Sequence, residues 1–164
     1  MAVESNVVLV PLDSTSAHSQ AVLAYCLDNL IAPTDKVVVL HVAQHSLESS
    51  VDDTYEQSEL QEIAEKLKAM ATTILKTRSI ANSVSVSVAY GEPRGVIMIE
   101  ANELSPRLIV MGSHGKGARP CLGSVTSHVL HRAECPVMIV PNQFATQAAT
   151  TKRTGATYEI NVEA

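Results

Sequence analysis

Three short runs of this chain are apolar without alternating: VVLVPL at 7–12, KVVVLHV at 36–42 and LIVM at 108–111. A strand with one face in water alternates with period two. A continuous run instead fits a strand covered on both faces, as in a parallel sheet held between two layers of helices. Helical patterns follow each run. Ser14, Thr15 and Ser16 offer caps for a helix with Leu23, Leu27 and Leu30 at i, i+4 and i+7, and Pro33 lies past its end. Beyond a polar, acidic loop at 44–54, a long helix is expected from about 55 to 80. Its stripe is Leu60, Ile63, Leu67, Met70 and Ile74, with Glu62, Glu65, Lys66 and Lys68 on the solvated faces.

Val84, Val86 and Val88 alternate with Ser83, Ser85 and Ser87, so this strand belongs at a sheet edge with one wet face. Gly91 and Pro93 turn the chain into a helix carrying Ile97, Ala101 and Leu104, which Pro106 ends. The pattern is strand–helix four times, then a fifth strand at 136–140. It predicts an α/β domain: a doubly wound parallel five-stranded sheet of order 3-2-1-4-5, with helices on both faces. The domain is expected to occupy 1–141. Residues 142–164, rich in Thr, Ala and Gln, form a tail that is either a flexible terminus or, through its alternating end, an added strand.

Composition narrows the function. Only 3% of residues are aromatic, with no Trp and one Phe, so the core is aliphatic and stacking platforms for single-stranded nucleic acid are few. Twelve basic against 17 acidic residues leave a net charge of −5 with no basic run, which argues against a polyanionic partner. Cys26, Cys121 and Cys135 suit a reduced compartment better than a disulfide framework. The first residues lack a basic leader, and no apolar run approaches the length of a membrane span. A cytoplasmic protein, without membrane or nucleic-acid partners, is the expectation.

The chemistry concentrates at 108–140: a buried strand, a glycine-rich loop (112–123), a helix (124–133) and a second strand. Gly112, Gly115, Gly117 and Gly123 let the backbone turn and lie against an anion. Free amides and the positive end of the helix dipole would hold a phosphate, with Ser124 as N-cap and Thr126 adding a hydroxyl. A tight strand–helix turn would also use such glycines. Position separates the two readings, since a doubly wound sheet binds ligands where its strand order reverses, here between the first and fourth strands. Asp13 leaves the end of the first strand and the loop leaves the end of the fourth. The carboxylate can accept from a ribose hydroxyl or a base amine, or cap the following helix, and Val42 can flank a flat base. No G-x-x-x-x-G-K-[ST] is present, and Pro120 stands where a G-x-G-x-x-G would need its third glycine.

Pro11-x-Asp13, Leu40-His41-Val42, Gly91-Glu92-Pro93, the run from Ile109 through Met111 to Gly115, Leu122-Gly123-Ser124-Val125 and Cys135-Pro136-Val137 together resemble the universal stress protein family, of the ATP-binding kind, over about 5–141. The resemblance implies a usually dimeric domain that binds ATP with Mg²⁺ or Mn²⁺ on its phosphates, and at most weak ATPase activity. It implies adenosine contacts from Asp13 and Val42, with Pro11 and Met111 also among the nucleotide-binding residues. Gly112, His114 and Gly115 would meet the ribose-phosphate, and Gly123, Ser124, Val125 and Thr126 the phosphates. The family motif G-x2-G-x9-G-[ST] is two residues longer than the loop here, where seven residues separate Gly115 from Gly123. The shortening falls at the β- and γ-phosphate end, so ADP or AMP is expected to fit better than ATP. A nucleotide-free dimeric scaffold is the rival reading, and a slow ATP-hydrolysing enzyme a third. Lys116 and Arg119 are within reach of a terminal phosphate or are plain loop charges.

His128, His131 and Cys135 lack a fourth partner, and exposed helix-face histidines are expected in place of a metal site. No catalytic triad or paired carboxylate stands out. The fifth strand, Val137, Met138, Ile139 and Val140, would end the sheet with an apolar edge, which predicts a homodimer contact there.

Overall fold

The computed structural model describes residues 6–44, 53–78, 80–113 and 122–141. The elements run β1 (Val7–Pro11), α1 (Ala17–Asn29), β2 (Lys36–Ala43), α2 (Asp53–Arg78), β3 (Ser83–Tyr90), α3 (Pro93–Leu104), β4 (Leu108–Gly112), α4 (Ser124–Arg132) and β5 (Val137–Val140). They form one five-stranded sheet of order β3-β2-β1-β4-β5, parallel at every pairing. The expected architecture is the observed one. Expectations for the tail 142–164, for His114, Gly115, Lys116, Arg119 and Cys121, and for most of the loop at 44–54 lie outside the described residues.

Each side of the sheet carries its own core. Val8, Val10, Val37, Val39 and Val110 point toward α1 and α2, where Leu23, Leu27, Leu67 and Ile74 pack on them. Leu9, Leu40, Ile109 and Met111 point the other way, toward Ile97 and Ala101 of α3 and Val129 of α4. Val8, Leu9 and Val10 are all 0% exposed, which explains why β1 does not alternate in sequence. Edge strand β3 does alternate. Its valines pack on the α2 side, while Ser83 and Ser85 are exposed.

Helix boundaries follow local chemistry. Ser16, among the three hydroxyl candidates, caps α1 by accepting from Ser19 N at 3.2 Å. Helix α2 begins at Asp53, two residues before the expected start, and ends at Arg78 in place of about 80. Glu92 caps α3 by accepting from Gly95 N at 3.0 Å, with Pro93 in the first turn. Gly91, at φ 148°, makes the turn that feeds it.

Opposite the carboxyl ends of the strands, a charged clamp ties the sheet together. Asp35, just before β2 and 4% exposed, accepts from Arg107, just before β4, through Nε at 2.9 Å and through a second guanidinium nitrogen. Arg107 also donates to Leu30 O at 3.0 Å. The guanidinium holds the Asp35 carboxyl below the usual carboxylate range. Cys26 lies in the α1 core as expected, 0% exposed, with its thiol pushed up to about 12 by burial. No helix among the described residues is long and apolar enough to cross a membrane.

Candidate nucleotide cleft

The strand order reverses between β1 and β4, and a cavity of about 580 Å³ opens at their carboxyl ends. That volume lies within the range of small-molecule sites. Seven of the sequence-predicted residues line it together: Pro11, Asp13, Val42, Met111, Gly112, Val125 and Thr126. They come from four separate elements and one loop, so topology alone gathers them. Gly123 and Ser124, at the start of α4, are not among the residues that line it. His114 and Gly115 are outside the described residues.

The walls divide by chemistry. Val42 of β2, Met111 of β4 and Ile97 of α3 make an apolar side suited to a flat base. Asp13 stands at the polar end. Its Oδ1 accepts from Ser19 Oγ at 2.6 Å and from Ser14 Oγ at 3.3 Å. Oδ2 makes no hydrogen bond among the described residues, so one carboxylate oxygen is held in place and the other is left to accept. Asp13 is not the N-cap of α1, since Ser16 has that role.

Helix α4 is anchored across the cleft. Thr126 Oγ1 donates to Gly112 O at 3.0 Å, and Gly123 N donates to Ser113 O at 2.9 Å. Gly123 is the N-cap, and no side chain caps it. The expectation that Ser124 caps α4 is therefore corrected: Ser124 has already entered the helix as its first residue. Two groups expected to face a phosphate are also engaged with backbone, the Thr126 hydroxyl and the Gly123 amide. The amides of Ser124, Val125 and Thr126 remain. They precede the first intrahelical bond, Ser127 N to Gly123 O at 2.9 Å, and so have no partner within the helix. Amides at that position, at the positive end of a helix dipole, attract an anion.

Several lining residues have no counterpart among the sequence candidates: Leu12, His18, Ser19, His41, Gln44 and Pro93. His18 and Ser19 belong to the first turn of the helix after β1, which at a switch point must face the crevice. The same rule that singled out Asp13 would have found them. His41 Nδ1 lies 2.9 Å from Leu12 O. His18 lies against Gly112, where a Cβ on the glycine would sit 2.4 Å from its Nε2.

On α4, His131 Nδ1 is 2.6 Å from Ser127 O and His128 Nδ1 is 3.1 Å from Arg132. No cluster of three potential metal ligands occurs among the described residues.

Comparison with known proteins agrees with this fold. A curated universal stress protein A family protein of Schizosaccharomyces pombe is 29% identical over 143 residues, 83% of this chain. The chain spans 45% of that relative's length. Among solved structures, universal stress protein UspA from Lactobacillus plantarum shares 26% identity with TM-score 0.65, covering 82% of this chain and 96% of that one. An Arabidopsis thaliana universal stress protein family protein with AMP bound shares 22% identity, TM-score 0.56, covering 82% and 90%. A universal stress protein in complex with cAMP shares 18%, TM-score 0.58, covering 84% and 98%. The last two identities speak for the fold alone. Residues 5–141 match the sequence model of the Universal stress protein family, and this chain belongs to that family.

Proposed function

We propose that the chain is a regulatory protein that binds an adenine nucleotide in the β1–β4 cleft. The observation that carries this reading is the pairing of two features across one cavity: Asp13 Oδ2 on one side and the uncapped amide turn of α4 on the other. The base lies against Val42 and Met111, a ribose hydroxyl donates to Asp13, and phosphate meets the amides of Ser124, Val125 and Thr126. Gly112, His114, Gly115 and Gly123 complete the loop side, and Pro11 the floor. The relatives with AMP and cAMP in their structures support an adenine nucleotide over other anions.

AMP and ADP suit this chain at least as well as ATP, because the loop is two residues short of the family motif and the Gly123 amide is engaged with Ser113 O. With a polyphosphate, Mg²⁺ or Mn²⁺ would sit on the phosphates. The same two observations favour the second reading, a dimeric scaffold that holds no nucleotide. In the first reading, occupancy changes loop order or the contact of a cytoplasmic homodimer through Val137, Met138, Ile139 and Val140. The ligand acts only through its different affinity for the two states.

Isothermal titration with AMP, ADP and ATP, with and without Mg²⁺, tests this. Saturable binding is expected, weakened about tenfold by Asp13→Asn, the loss of one charge-assisted hydrogen bond. No binding of any of the three at millimolar concentration supports the scaffold reading and overturns this one.

A further inference from the structure

The described part of the cleft offers an entering anion little positive charge. Among its described lining residues Asp13 is the one acidic group, and no Lys or Arg is present. Two imidazoles face the same space, His41 from β2 and His18 from α1. The His41 ring is turned to the backbone through Leu12 O. The His18 ring rests on Gly112, with Nε2 only 2.4 Å from the position a Cβ would take. That contact places an imidazole edge on bare backbone where β4 ends and the glycine loop begins. On the nucleotide reading, that is the phosphate side of the cleft.

We propose that His18 is the group that recognises the ligand's phosphate, and that it takes up a proton from solvent as the anion binds. The inference rests on the nucleotide reading and names the residue that makes the site prefer a phosphorylated ligand over a nucleoside. His18 is the second residue of α1, so the positive end of that helix dipole disfavours imidazolium in the free protein. A phosphate beside the ring reverses the balance, because an opposite charge within about 4–6 Å favours the charged form. The sign follows. The imidazole holds its proton to higher pH in the complex than in the free protein, so binding consumes a proton and affinity rises as pH falls across that interval.

The other described groups that line the cleft with His18 sort cleanly. Asp13 at the end of β1 and His41 on β2 titrate or carry charge. Pro93 and Ile97 of α3, Met111 and Gly112 of β4, and Val125 and Thr126 of α4 do not. Any effect of Asp13 or His41 on base and ribose is shared by a nucleoside, which makes adenosine the control. The phosphorylated probe is cAMP, whose phosphodiester keeps one charge throughout. AMP would titrate itself, since a phosphate monoester ionises a second time near pH 6.

The experiment is calorimetric titration of cAMP and of adenosine into wild type, His18→Gln and His18→Ala at pH 6 and pH 8. Wild type is expected to bind cAMP roughly three- to sixfold more tightly at pH 6 than at pH 8, the effect of a pKa difference of about one unit over that interval. Adenosine should differ much less between the two. Both variants should lose the pH dependence for cAMP, read as the ratio of each variant's cAMP affinity to its own adenosine affinity at the same pH. A variant that keeps that dependence overturns the proposal. So does a wild type whose pH response is the same for the two ligands, a comparison that needs no variant to fold. If adenosine and cAMP both bind and only the His18 arms fail, the nucleotide reading stands and this one falls. If neither ligand binds at either pH, both fall.

Discussion

At the scale of single residues, Gly112 changes meaning between sequence and structure. In sequence it is a loop glycine that could lie against a phosphate. In the folded chain the space where its Cβ would be is filled by the His18 ring. Glycine is required here by the protein's own packing before any ligand is considered. Gly112→Ala must push the imidazole aside, and overfilling a packed site costs about 1–3 kcal/mol. The cost is expected at the lower end of that range, because the obstructing atom is the tip of a side chain that can rotate. Adding His18→Ala should recover most of it, measured as the urea midpoints of the two single variants and the double variant. Full cost in the double variant would show that the glycine serves something other than this contact.

At the scale of elements, the strands were legible and the ties between them were not. The runs at 7–12, 36–42 and 108–111 announced β1, β2 and β4, because burial on both faces removes alternation from the sequence itself. The valine–serine alternation announced β3 as an edge for the opposite reason. The stripe of α2 placed Leu67, Met70 and Ile74 in the core. Its ends moved by two residues, since polar positions at a helix terminus carry little periodic signal. The cap of α4 went to Gly123 in place of Ser124 because a hydroxyl beside a glycine does not say which of them stands outside the helix. In the cleft, Asp13 and the start of α4 were found through the switch-point rule. The same rule reaches His18, in the first turn of α1, but its contact with Gly112 joins distant parts of the chain and leaves no local signal. The Asp35–Arg107 clamp was invisible for the same reason. Removing Arg107 leaves Asp35 buried and charged, and Arg107→Ala is expected to destabilise by about 2–3 kcal/mol. That is below the range for a fully buried pair, because the guanidinium side chain is 37% exposed. The Asp35 carboxyl is held below its unfolded value. Its contribution is therefore present above about pH 4 and is lost as pH falls through the lower folded value. Urea unfolding from pH 7 to pH 3 should show a steeper acid loss in wild type than in Asp35→Asn. Equal slopes would contradict the role given to the pair.

At the scale of the whole molecule, the fold solves its edges unequally. Strand β3 turns serines outward at one edge. Strand β5, at the other, leaves Met138 38% exposed while Val140 is 1% exposed. An apolar strand with one edge unpaired among the described residues invites a second chain, and a two-fold axis is the simplest way to satisfy it. The proposed homodimer gives sedimentation at twice the chain mass at micromolar concentration, reduced to one chain mass by Met138→Glu. Wild type sedimenting as a single chain would rule out this interface. Cleft and edge meet through β4, whose carboxyl end lines the cavity while its length pairs with β5. In the proposed homodimer, that is the route by which ligand binding would reach the contact between chains.

The most direct trial of the central claim is to follow backbone amide resonances while AMP is added. A guest at the point of strand reversal should move the signals of Val42, Gly112 and Ser124 through Thr126 and leave Asp35 and Arg107, at the other end of the sheet, where they were. Saturable changes confined to a different surface, or no changes with AMP in millimolar excess, would contradict it.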